Sequence, residues 1–279
     1  MEIITSLKDV NQMNLDVDGF FLGTRFGVRN DIFSLRDIEY IIKNTNKNVY
    51  VNVDKIFNES ELDEVKQYLI ELKRLNIDGI YYSDMSVFTI SEELDIIDKL
   101  IYNPGTLVTN YEDALFYLRL GVKRVCLARE ITLVDILKIM EYSTDIEVII
   151  HGNLNMFYSK RNLLTNFFEF TNQEVRKKGH LVEEIRSERY PITEDETGTH
   201  IFQGEILNSF KELMYFKNIT VRIDGFLQDE KYIEDVTNIY ANLRNDFDEK
   251  KAFKDYSINY NVNELSTGYY YKETKYIKK

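Results

Sequence analysis

The sequence predicts an α/β protein: a (β/α)8 TIM-like barrel with an insertion between its seventh and eighth strands. Three observations lead there. Short β-rich runs alternate with helical patterns through the first two thirds of the chain, the mark of βα units and a parallel sheet. Eight such runs can be placed. No GxGxxG follows the first, which leaves the doubly wound open sheet as the weaker alternative. A chain of 279 residues, 44% hydrophobic and 29% charged, has the core for a domain of this size.

The runs follow in order. Glu2–Ser6 precedes a short helix near Lys8–Leu15, and Gly19–Thr24 precedes a helix opened by Ser34, an N-cap before LRDIEYIIKN. Asn48–Val53 leads into a helix from Ser60 to Leu75, whose Leu62, Val65, Leu69 and Leu72 share one face. Gly79–Ser83 is followed by a helical stretch over Val87–Leu94. Lys99–Tyr102 is followed by Tyr111–Leu120, with Gly121 as its stop. Lys123–Ala128 is followed by Leu133–Tyr142. Glu147–His151 is the seventh run. The eighth, Ile219–Ile223, comes much later and precedes a helix from Lys231 to about Phe247. The rhythm breaks over residues 153–216, which read as an insertion carrying small elements such as Glu183–Arg189 and Gly198–Phe202. The barrel is thus expected over residues 1–250. The charged, Tyr-rich stretch 251–279 is expected to be a strand pair or a poorly ordered tail.

Composition narrows the chemistry. No apolar run is long enough for a membrane span, and the start MEIITSLKDV lacks a secretory pattern, so a cytoplasmic protein is expected. A single cysteine, Cys126, excludes an internal disulfide and any site built from several local thiolates. Its apolar setting, VCLA, reads as a buried small hydrophobe. His151, His180 and His200 show no metal-ligand spacing, and no metal site is expected. The net charge of −12 makes the chain a poor general binder of phosphate backbones. Nucleic acid would need a local basic patch. The candidates are Lys160–Arg161, Arg176–Lys178 and the tail lysines Lys272, Lys275, Lys278 and Lys279, each also readable as solvated surface.

A barrel carries its reactive groups at the C-terminal ends of its strands. Those ends hold Arg25 and Arg29, Asn52 and Asp54, Ser83 and Asp84, Asn103, Arg129 and Glu130, His151 and Asn153, and Asp224. The arginines suit a carboxylate or phosphate ligand. They could equally pair with Asp54, Asp84 and Glu130. Strand alternation puts Glu147, Ile149 and His151 on one face, with Glu147 and His151 roughly 13 Å apart. His151 could instead pair with Glu130, for proton transfer or as a structural hydrogen bond. Ser159 lacks a GxSxG setting, and HExxH is absent.

The segment from Glu147 to Thr165, EVIIHGNLNMFYSKRNLLT, resembles the signature of peptidase family U32, the collagenase-like peptidases. Val125–Leu133, Gly19–Arg29, Asn48–Leu75 and Ile219–Tyr240 resemble other blocks of that family in the same order. The resemblance implies a barrel. It also implies either proteolysis or a part in RNA hydroxylation, in one branch the prephenate-dependent 5-hydroxylation of the tRNA wobble uridine. The chain resembles the short member of such a two-protein system. Arg129, Glu130, Glu147, His151, Gly152, Tyr158 and Ser159 match the family pattern. They make Glu130, His151 and Glu147 the catalytic candidates. Arg25, Arg29, Arg129, Tyr158, Ser159, Lys160 and Arg161 are the substrate-binding ones. Asn155 and Asn162 stand where the signature has cysteines. Amides cannot replace thiolates on an iron–sulfur cluster. The resemblance therefore implies that any iron–sulfur or metal centre resides in a partner, a cysteine-bearing U32 paralogue, with prephenate as ligand and tRNA as a further partner. A non-catalytic partner subunit is the remaining alternative.

Overall fold

The computed structural model describes residues 1–28, 31–184 and 188–272. Eight parallel strands close into a barrel: β1 (Glu2–Ser6), β2 (Gly19–Leu22), β3 (Asn48–Val53), β4 (Gly79–Tyr82), β5 (Leu100–Tyr102), β6 (Arg124–Cys126), β7 (Ile146–Ser159) and β11 (Thr220–Ile223). β11 pairs with both β1 and β7, so the ring has no open edge.

The helices form where local chemistry asks for them. α1 (Leu35–Asn44) starts on a capping box in which Ser34 and Asp37 satisfy each other's backbone N–H groups. α2 (Leu62–Leu75) buries Val65, Leu69 and Leu72 against the barrel and ends at Asn76 in the left-handed conformation. α3 (Met85–Glu93), α4 (Tyr111–Arg119) and α5 (Leu133–Met140) are capped by Asp84, Asn110 and Thr132. Gly121, with φ of 94°, stops the α4 segment as the sequence predicts. α7 (Glu230–Asn245) begins at Asp229 and buries half its length.

The insertion is an antiparallel ribbon. β7 runs past the barrel wall for 14 residues and pairs with β10 (Gly198–Asn208). β9 (Arg189–Asp195) and β8 (Lys178–Val182) complete the ribbon, and α6 (Leu163–Phe170) lies beside β9 and β10. Gly152 permits the departure from the barrel. Its φ is 124°, and a Cβ there would stand 2.2 Å from the carbonyl oxygen of Asp224.

Two expectations are corrected. Up to Lys272 the stretch after Asp248 takes neither of the two expected forms, and residues 273–279 lie outside the described residues. It forms α8 (Glu249–Asn259) and a short β12 (Leu265–Ser266) that pairs with β10. A ribbon replaces the helix that would normally follow β7, so other groups must cover that part of the wall. Tyr256 and Tyr270 do so, and Tyr270 bonds Ser209 at 2.8 Å. The second correction concerns strand parity. β7 pairs Ile149 with Arg222 and His151 with Ile223, so Ile150 is an extra residue, a β-bulge. Glu147 faces the barrel interior, but His151 is turned to the opposite side. Among the described residues, no helix is long and apolar enough to cross a membrane.

Candidate functional site

The barrel interior is layered. Ile4, Phe21, Tyr50, Tyr81, Ile101 and Cys126 form its apolar filling. Beside them lies a buried charge network. The Glu147 carboxylate accepts the Tyr81 hydroxyl at 2.6 Å and stands 3.1 Å from the Nε atoms of both Arg124 and Arg222. Arg124 also donates to Glu2 and Thr220, each at 2.8 Å. Burial would raise the Glu2 carboxyl, but Arg124 and hydrogen bonds from Tyr50, Thr220 and Asn48 outweigh it and hold it below the usual carboxylate range. Arg222 lies over the Phe21 and Tyr81 rings, 4.7 and 5.0 Å from their centroids. Glu147, placed by the sequence among the catalytic candidates, is 1% exposed and sealed in this network. The two arginines that hold it escaped the sequence reading. The signal was there: Arg222 is the one charged residue in the strand TVRI and takes an inward position.

His151 lies outside the barrel wall, under α7 and α8. Its Nε2 accepts from Tyr232 at 2.8 Å, and Nδ1 meets Tyr240 at 3.3 Å. The Tyr240 hydroxyl donates to Ile150 O, so the ring proton sits on Nδ1. Burial pushes the imidazole pKa down to about 3. Neither ring nitrogen is left for Glu130, which is exposed at the end of β6. The expected His151–Glu130 pair is therefore absent, and His151 is a neutral core histidine.

The mouth itself is built around Asp54. Its Oδ1 accepts from Val28 N at 2.8 Å and Asn52 Nδ2 at 3.1 Å, and its Oδ2 from Asn103 Nδ2 at 3.3 Å. Gly27 lets the β2 loop close over Asn52, whose side chain a Cβ would meet at 1.9 Å. Opposite, Arg129 Nη1 donates to Asn155 O and Oδ1 at 2.9 and 3.2 Å. Asp224, Asn153, Ile149, Phe202 and Phe226 complete the lining. The free space is about 30 Å3, room for about two waters. Arg129 is the cation among the described lining residues. The cleft thus combines one guanidinium, two carboxylates and two carboxamides on an apolar floor, a set able to orient a small polar ligand once Phe226 and the ribbon yield.

The other expected binding residues scatter. Arg25 turns outward to Glu64 at 2.8 Å, both side chains more than half exposed. Arg29 lies outside the described residues. Tyr158 stacks on His200, with ring centroids 5.0 Å apart, and donates to Thr197 O. Burial pushes its phenol up to about 12, with Asp54, Asp195 and Glu61 adding to the effect. Ser159 accepts from Arg161 N at 3.3 Å. Lys160 pairs with Glu61 at 2.5 Å, tying the ribbon to the rim, while Arg161 is exposed at the ribbon tip. One constellation was missed. Buried His200 donates from Nε2 to Thr197 at 2.9 Å and lies 3.5 Å from Asp195, and its ring packs against that of Phe226, with centroids 5.2 Å apart. Burial would raise the Asp195 carboxyl, but hydrogen bonds from His200 and Thr197 hold it low.

The donor set does not suit an iron–sulfur or other metal centre. Cys126 is fully enclosed in the barrel, and burial beside Glu147 pushes its thiol up, away from the thiolate a metal needs. Among the described residues, no group of three or more His, Cys, Asp and Glu side chains could hold an ion.

Comparison with known proteins identifies the chain's relatives. The model of Peptidase family U32 matches residues 10–279. A protein of Bacillus subtilis named tRNA hydroxylation protein P2 is 32% identical, over 90% of each chain. An uncharacterized protease of Methanocaldococcus jannaschii is 25% identical over 88% of this chain and 58% of its own length. Helicobacter pylori tRNA hydroxylation protein P is 24% identical over 72% of this chain and 51% of its own. The chain therefore spans nearly all of the first relative but little more than half of the other two. With the barrel, the His151-Gly152 crossing and this match across almost its whole length, the chain belongs to peptidase family U32.

Proposed function

We propose that this chain takes part in 5-hydroxylation of the tRNA wobble uridine, as the binding subunit beside a cysteine-bearing U32 paralogue in the cytoplasm. One observation carries the reading. Asn155, at a position where the family signature has a cysteine, sits in the barrel mouth and holds Arg129. The mouth keeps a cation for a small carboxylate such as prephenate, while the thiol chemistry has been given up. The similarity to the Bacillus subtilis and Helicobacter pylori tRNA hydroxylation proteins supports the same assignment. In this role Arg129 pairs with the ligand's carboxylate, and Asp54 and the carboxamides order its hydroxyl groups. Phe202 and Phe226 exclude water, and entry requires the mouth to widen beyond its present free space.

Ser159 gives a peptidase reading no support: its described contacts include neither histidine nor carboxylate. The deciding experiment is deletion of the gene, in a strain without other enzymes of this modification, followed by mass spectrometry of tRNA nucleosides. Loss of the hydroxylated uridine is expected. Restoration should follow the wild-type gene and be much weaker with Arg129→Ala, which should also bind prephenate more weakly. An unchanged nucleoside profile overturns the reading, and equal prephenate titrations overturn the role of Arg129.

A further inference from the structure

The tip of the ribbon departs from the rest of the molecule in both charge and polarity. Between Met156 and Val182 the chain carries five lysines and arginines against two glutamates, although the whole chain has a net charge of −12. Among the described residues, Arg161, Arg176, Lys177 and Lys178 are exposed and make no ion pair. Beside them α6 is apolar, yet none of its residues is buried. Phe167 is 55% exposed and Phe170 86%.

Hydrogen bonds gather these groups at one end of the ribbon. Thr199 Oγ1 donates to Arg161 O at 2.8 Å and accepts Leu163 N at 3.0 Å. Glu194 accepts the Leu164 and Thr165 N–H groups at the start of α6, and its own N–H donates to Lys177 O at 2.8 Å. Arg161, α6 and the Arg176–Lys178 run are thus anchored to the same β9–β10 turn. The Lys160–Glu61 pair ties that end to the barrel rim.

Cations beside solvent-facing aromatic rings match a single-stranded nucleic acid. Phosphates are neutralised by lysine and arginine, and unstacked bases lie on the rings. A protein partner would account for the phenylalanines but leaves the cation excess unused. The acidic remainder of the surface repels phosphates and confines binding to this place.

We infer that the ribbon tip, with Arg161, Arg176, Lys177, Lys178, Phe167 and Phe170, docks a single-stranded RNA loop and presents it above the barrel mouth. The inference rests on the tRNA reading and gives that reading a surface.

The test is fluorescence anisotropy of the full chain with a labelled anticodon stem-loop, and with a loopless RNA duplex of equal length. The stem-loop should bind more tightly. Phe170→Ala should weaken it by at least about fivefold, the effect of losing one base stack. Arg176→Gln combined with Lys177→Gln and Lys178→Gln should reduce the slope of log affinity against log salt by about two, at about 0.7 per single-strand phosphate. All four side chains are exposed, so unchanged thermal melting is expected and confirms intact folding. Equal affinities for loop and duplex, or variants that bind as wild type, overturn the inference. So does loss of a co-purifying protein with unchanged RNA affinity, which would make the tip a protein interface. The variants also separate the two readings in cells. If gene deletion abolishes the hydroxylated uridine but both variants restore it fully, the docking face fails and the function stands. If deletion changes nothing while the binding pattern holds, the function fails and the RNA face stands.

Discussion

The floor of the barrel and the tip of the ribbon use the same residue types in opposite ways. At the floor, Arg124 and Arg222 are buried, and Glu147 lies between them and accepts the Tyr81 hydroxyl. At the tip, Arg161 and the Arg176–Lys178 run face water beside Phe170. A charge removed from water must be compensated within the fold, whereas one at the surface is compensated by solvent until a partner arrives. The difference separates charges that maintain the structure from charges available for recognition. It also explains why Glu147, although it matches a family signature, belongs to the structure.

The comparison breaks first at Glu147. Glu147→Gln leaves two buried guanidiniums sharing a neutral amide, and should cost about 3–5 kcal/mol in a urea unfolding experiment. A loss below about 1 kcal/mol would mean that solvent reaches the floor, and the contrast with the tip would disappear.

The next effect is acid sensitivity from His151. Its folded pKa lies near 3 against an ordinary 6.5, so the unfolded chain binds the extra proton between those values. The stabilisation is complete above about pH 6.5 and is lost as pH falls towards 3, at up to about 1.4 kcal/mol per pH unit. His151→Phe should flatten that part of the stability–pH curve. An unchanged slope would assign the acid sensitivity to other groups.

The smallest effect belongs to the rim. Lys160→Gln removes an ion pair whose two partners are each about one third exposed. It should change stability by less than about 1 kcal/mol, with the difference shrinking further in high salt. A larger, salt-independent loss would place the start of the tip with the buried floor instead.

Much of the architecture was legible because it is written in local chemistry. Ser34 and Asp37 form a capping box within three residues, and Gly121 ends a helix by its own backbone freedom. The spacing of Val65, Leu69 and Leu72 needs no knowledge of the partner they pack on. The insertion was visible as a loss of periodicity after β7. Its ribbon was less legible, because β8 is exposed along its length and carries no alternation of burial. The helix α8 was hidden by its polar sequence, and its burial comes from Ala252 and Tyr256 on one narrow stripe.

Of the candidate site, Arg129, Asp54 and Asp224 could be read from strand ends, since a barrel gathers such ends at one mouth. The orientation of His151 could not. One extra residue, Ile150, reverses the alternation of β7, and only its pairing with β11 reveals the slip. Nor could the sequence show that Glu2, Arg124, Glu147 and Arg222 meet, because ring closure alone brings β1, β6, β7 and β11 together. Periodicity, caps and turn glycines act over a few residues and are determined by the chain order itself. Which side chains become buried partners depends on register between distant strands, and that is decided only when the barrel closes.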